Sequence, residues 1–130
     1  MGDFQTSIVP TLSLRNGAAA LEFYKKAFGA VELMCITGED GSVVAELAVD
    51  GARFFIADES PEHGNFSPET LGGISIRIAL FVSNPDAVAA NAMAAGASEI
   101  YPVADQDYGY RLGCIKDPFG HVWEIGKKMN

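Results

Sequence analysis

Residues 16–34 read NGAAALEFYKKAFGAVELM, and residues 84–100 read NPDAVAANAMAAGASEI. Each stretch opens on an asparagine, whose side-chain oxygen suits a helix N-cap. Each then runs through helix-forming residues to a glycine, Gly29 or Gly96, suited to the left-handed residue that stops a helix. Each continues in kind, Ala30-Val31-Glu32-Leu33 against Ala97-Ser98-Glu99-Ile100. In the first helix Leu21, Tyr24 and Phe28 recur at i, i+3 and i+7 and make one apolar stripe. In the second, Pro85 takes the first helical position. Its alanine-rich body predicts a close but smaller contact with a sheet.

Around both helices the same order of elements recurs. SIVPTLSLR (7–15) precedes the first helix and reads as a strand. VELMCIT (31–37), SVVAELAVD (42–50) and ARFFIADE (52–59) follow as three strands, joined by GEDG and by a tight Asp50-Gly51 hairpin turn. In the second half SIRIALFVS (75–83) precedes the helix, and SEIYPV (98–103), YRLGCIKD (110–117) and HVWEIGKK (121–128) follow it. Between the last two, Asp117-Pro118-Phe119-Gly120 is a turn. The sequence thus predicts one domain over residues 1–130, with module one at about 7–59, module two at about 75–128 and a polar junction loop at 60–74. The fold class is α+β, two tandem βαβββ modules. An open four-stranded sheet with one helix cannot close a core alone. Set side by side, the modules are expected to form a cupped eight-stranded mixed sheet with a trough sized for a small molecule.

Bulk properties exclude several function classes. The net charge of -8 and the nine Lys+Arg spread through the chain leave no basic face for nucleic acid. No apolar run is long enough to span a bilayer, and the first residues, MGDFQTSIVP, lack the pattern of a secretory signal. Cys35 and Cys114 are too few for a disulfide framework. The expectation is a reduced, cytoplasmic protein without nucleic-acid or membrane partners. No Ser-His-Asp or Cys-His arrangement is readable from two histidines, His63 and His121, in or beside turns. No phosphate-binding glycine loop is present either.

The doubled βαβββ order, the early ALEFYKKAFGA and the terminal DPFGHVWEI resemble the vicinal oxygen chelate superfamily, which includes glyoxalase I, bleomycin-resistance proteins, fosfomycin-resistance enzymes and extradiol dioxygenases. Leu71-Gly72-Gly73, Ala95-Gly96-Ala97 and Asp117 to Trp123 are most similar to the PhnB-like proteins of that group. The resemblance implies a homodimer and a small-molecule ligand in the trough. Sequestration of a cationic drug is one precedent, with which the acidic composition is compatible. Metal-dependent members hold their ion with one side chain from the first and one from the last strand of each half. Laid onto this chain, these positions fall at about Val9, Phe55, Arg77 and Glu124. Glu124 alone has a ligand-type side chain, so no metal ligand and no cofactor is assigned. The rival expectation is a lyase, isomerase or dioxygenase using Glu124, with Glu46 and a divalent ion.

Strand alternation refines the candidates. Glu124 and Val122 are predicted on the trough face and Trp123 on the other. Glu124 is either a wall residue paired with Arg77, or a general base or ligand anchor. Arg77, Glu46 and Phe55 are assigned to the same trough as ligand-binding residues. Asp105, Gln106, Tyr108 and Arg111, around Gly109, are assigned to its rim as ligand-orienting residues. Phe66, in the junction loop, is expected to cover the trough of its own or a neighbouring subunit.

Overall fold

The computed structural model describes residues 4–130. Eight strands and two longer helices appear in the expected order: β1 (Thr11–Leu14), α1 (Gly17–Phe28), β2 (Val31–Thr37), β3 (Val43–Val49) and β4 (Ala52–Asp58), then β5 (Ile78–Phe81), α3 (Pro85–Ala94), β6 (Ser98–Asp105), β7 (Tyr110–Lys116) and β8 (Val122–Lys128). The junction carries a single 3-10 turn (Pro61–His63) and a four-residue helix, α2 (Pro68–Leu71). The class is α+β as expected. The strands divide into two four-stranded sheets, β1-β4-β3-β2 and β5-β8-β7-β6, and are not one continuous ladder. In each sheet the first strand runs parallel to the last of its module, and the other pairs are antiparallel.

Local chemistry sets the element ends. The Asn16 side chain accepts the Ala19 N–H at 3.1 Å, and Asn84 accepts that of Ala87 at 3.2 Å. Gly29 ends α1 at φ 68°, a conformation that costs a β-carbon-bearing residue about 1 kcal/mol or more. The Asp50-Gly51 turn has φ of 48° and 83°, the positive pair that a two-residue hairpin turn demands. The first strand of module two is shorter than the 75–83 expected: Ser75 to Arg77 run as a connector ahead of β5.

The helices and one face of each sheet share a core. Tyr24, Leu21, Phe28 and Ala27 of α1 are buried with Leu47 and Ile56 of the first sheet and Ile115, Trp123 and Ile125 of the second. Tyr24 sits within 5.9 Å of Phe28, Phe54 and Trp123, ring centre to ring centre, and Phe54 lies 5.4 Å from Trp123. The predicted helical stripe thus meets both modules. The helix-bearing faces of the two sheets abut one core, and their opposite faces are turned away from it. Among the described residues no helix is long and apolar enough to cross a membrane.

Candidate functional site

Register brings the candidate residues onto those outward faces. In module one Thr11 pairs with Phe55, Phe55 with Glu46, and Glu46 with Met34. In module two Ala79 pairs with Glu124, Glu124 with Cys114, and Cys114 with Tyr101. The two faces therefore carry matching rows, in which Phe55 and Glu124 hold one place and Glu46 and Cys114 another. Two residues before Thr11 and Ala79 stand Val9 and Arg77, so the repeat geometry groups Val9, Phe55, Arg77 and Glu124 as equivalent positions.

Among the described residues each face holds one ion pair. Glu46 Oε2 accepts from Arg53 Nη1 at 2.7 Å, and a second Arg53 nitrogen donates to Ser7 at 3.1 Å. Arg77 Nε lies 3.5 Å from Glu124 Oε2, with the Arg77 side chain 65% exposed and that of Glu124 24%. Glu124 thus stands beside Arg77 on the wall. Its other near neighbour is Cys114, whose thiol is pushed up first by burial and then by the charge of Glu124. A thiol so placed stays protonated and is a poor nucleophile. Burial, then Cys114 and Glu124, likewise push the Tyr101 hydroxyl up.

This donor set does not fit a divalent ion. Of the four equivalent positions one is a carboxylate, two are hydrocarbon and one is a guanidinium, whereas catalytic zinc requires three protein ligands and an open place. Among the described residues no three His, Cys, Asp or Glu side chains gather as a metal cluster.

The expected rim residues separate from Glu124. Arg111 points to the helix side, where it holds Asp86 of α3 through two bonds of 2.8 and 2.7 Å and Asp105 through one of 2.9 Å. The Arg111 hydrogen bonds hold the Asp86 carboxyl below its usual range. Gln106 donates to the Ala104 and Leu112 carbonyls at 3.1 and 3.2 Å, closing the β6–β7 turn. Tyr108 and Asp105 of this group lie open, the Tyr108 ring 6.2 Å from that of Tyr110. Phe66 lines a cavity of about 220 Å³ with Thr11 and Ser13 of β1 and Ile74 and Ile76 of the junction, so the loop covers the β1 end of the first outward face. The loop is held there by Glu59, which accepts from Ser67 N–H at 2.8 Å and Thr70 Oγ1 at 2.8 Å.

Two features escaped the sequence reading. Arg53 could have been found as the diagonal neighbour of Glu46 across the Asp50-Gly51 hairpin. Asp117 was read as a turn residue only. It is 3% exposed and accepts four hydrogen bonds, from Phe119 N–H, His121 N–H, Trp123 Nε1 at 2.9 Å and the Tyr24 hydroxyl at 2.5 Å. Tyr24 belongs to module one, so the DPFG turn also fastens the modules together. His121 adds a second tie, its Nε2 lying 2.8 Å from the Ser13 carbonyl.

Comparison with known proteins agrees with this architecture. The chain is 36% identical over 129 residues to an uncharacterized protein of Mycobacterium bovis, covering 96% of this chain and 85% of the relative. It is 31% identical over 118 residues to an uncharacterized protein of Arabidopsis thaliana, covering 84% and 70%. Among solved structures, TioX from Micromonospora sp. ML1 superposes with a TM-score of 0.73 at 24% identity, covering 95% of this chain and all of that one. The fosfomycin resistance protein FosX of Listeria monocytogenes, solved with Mn(II) and sulfate, superposes at 0.71 with 15% identity, covering 97% and 94%. The sequence profile of the Glyoxalase/Bleomycin resistance protein/Dioxygenase superfamily matches residues 10–125. With doubled βαβββ modules, matched registers and this profile spanning nearly the whole chain, the protein belongs to the Glyoxalase/Bleomycin resistance protein/Dioxygenase superfamily.

Proposed function

We propose that this chain is a PhnB-like, metal-independent binder of a small molecule held against the outward sheet faces. The observation that supports it is the donor set: where metal-dependent relatives of this fold need ligands, this chain presents Val9, Phe55 and Arg77, and it sets the guanidinium of Arg77 3.5 Å from the remaining carboxylate. A cation there would compete with a fixed positive charge. Glu124 in this reading is a ligand anchor balanced by Arg77.

The same reading makes the protein a homodimer. Each outward face leaves large apolar side chains in water, Ile36 and Val44 on the first sheet and Phe81 on the second, and a second copy is the occupant that would close a trough over them. It also makes the protein cytoplasmic, since Cys35 and Cys114 are both free.

The test is a thermal-shift screen of the purified protein against a small-molecule panel, with elemental analysis of the same sample before and after incubation with Ni²⁺, Zn²⁺, Mn²⁺ or Fe²⁺. Ligand stabilisation without retained metal is expected. One equivalent of tightly held divalent ion, with catalysis that depends on it, would replace this reading by the lyase, isomerase or dioxygenase alternative.

A further inference from the structure

The charge of the whole chain and the charge of the second outward face have opposite signs. The chain carries -8. By register and alternation the outward face of β5-β8-β7-β6 carries Arg77, Lys116 and Lys128 against the single carboxylate of Glu124. Of the acids on the same strands and α3, Glu99 opposes Ile115 on the helix side, and Asp86 and Asp105 are held by Arg111. The first sheet balances Arg53 with Glu46. None of the ion pairs among the described residues uses Lys116, Lys127 or Lys128.

One corner of this face adds aromatic walls. Lys128 pairs across the ladder with Tyr110. The Tyr110 ring lies 5.7 Å from that of Phe81 at 48°, and Phe81 is 58% exposed. These residues line an open cavity of about 480 Å³ together with Asp50, Ser83 and Lys127, a size that suits a small molecule. Lys127 is engaged by the Ser83 carbonyl at 3.4 Å. Asp50, at the hairpin tip, is the one acid in the lining and faces two lysines.

We propose that this corner receives an anionic, ring-bearing small molecule, with its acid group on the Lys128 ammonium and its ring against Phe81 and Tyr110. The proposal rests on the binding reading above and adds the ligand's charge and shape. Lys128, an ammonium without an ion-pair partner among the described residues, gains most from an incoming carboxylate. Exposed aromatic rings gain from stacking and from removal from water. A cationic ligand there would meet Lys127 and Lys128, with Asp50 as the one acid in the lining.

The experiment is calorimetric titration of the full chain with three probes of one shape: 2-naphthoate, 2-naphthylmethanol and 2-naphthylmethylammonium. The naphthoate is expected to bind about ten-fold or more tighter than the ammonium compound, the scale of one charge-assisted hydrogen bond, and to weaken with added salt. Lys128→Met should remove that advantage while leaving the alcohol unchanged, and Phe81→Ala should weaken naphthoate and alcohol alike. Lys26→Met, an equal change of charge on α1, should alter nothing. Equal or tighter binding of the ammonium compound, naphthoate affinity indifferent to Lys128→Met, or no binding of any probe would each overturn the proposal. The broader binding reading falls only if the small-molecule panel also fails to stabilise the protein.

Discussion

At the scale of single residues the most consequential group is Asp117, not Glu124. A buried carboxylate is tolerable only with its lone pairs satisfied, and here two backbone N–H groups, an indole and a phenol do so. Burial first, then the charge of Asp117 and its hydrogen bond, pushes the Tyr24 hydroxyl well above the ordinary tyrosine value, which keeps it a donor. Tyr24→Phe removes one donor to a buried acceptor and is expected to cost about 1–3 kcal/mol, read as a lower denaturation midpoint. An unchanged midpoint would mean that Asp117 does not need the phenol. The Arg77–Glu124 pair is different: it is open to water and lacks a direct hydrogen bond. Glu124→Gln should change stability by less than about 1 kcal/mol, and a larger loss would show that the pair does structural work. Its expected effect is on ligand affinity, measured by the same titrations that define the ligand.

The elements make claims of their own. Gly29 holds the left-handed end of α1 and its N–H bonds the Lys25 carbonyl at 3.1 Å. Gly29→Val should destabilise by more than about 1 kcal/mol, and thermal unfolding of the variant checks it. The junction loop is fastened through Glu59, whose carboxyl is held below its ordinary 4.5 chiefly by the Ser67 N–H, with Thr70 and then Arg15 adding to it. A carboxyl depressed in the folded state contributes stability above its unfolded value, and loses it as pH falls through the folded one. The loop from Ser60 to Gly73 should therefore loosen as pH drops below 4.5, and Glu59→Gln should loosen it at neutral pH. Hydrogen exchange at Ser67 and Thr70 reads both; exchange that is indifferent to pH and to the variant would show that another contact holds the loop.

For the whole molecule, the packing of both helix-bearing faces onto one core leaves the candidate ligand faces pointing away from it. The chain itself covers only the β1 end of the first face, through the junction loop. In solution the protein should elute at twice its 13.8 kDa, and Ile36→Glu, on an outward face, should yield folded monomer. A wild-type monomer by light scattering would exclude the dimer and leave an open face as the binding surface.

The sequence by itself determined the elements and their order, because caps, glycine stops, hairpin turns and strand alternation are local. Asn16, Gly29, Asn84 and Asp50-Gly51 each acted within a few residues of where they stand. It also determined the faces: Glu124 out and Trp123 in follow from a period of two. The pairing of Glu124 with Arg77 was within reach because the resemblance supplied the register of β5 against β8. What only the tertiary structure decided were relations between distant stretches. The Tyr24 hydroxyl and Asp117 are 93 residues apart, and Arg111 and Asp86 are 25 apart. No local rule says that Arg111 turns to α3 instead of toward a ligand, that the eight strands split into two sheets, or that three scattered cations share one face of an acidic chain. Those outcomes depend on which surfaces pack together, and packing is a property of the assembled core.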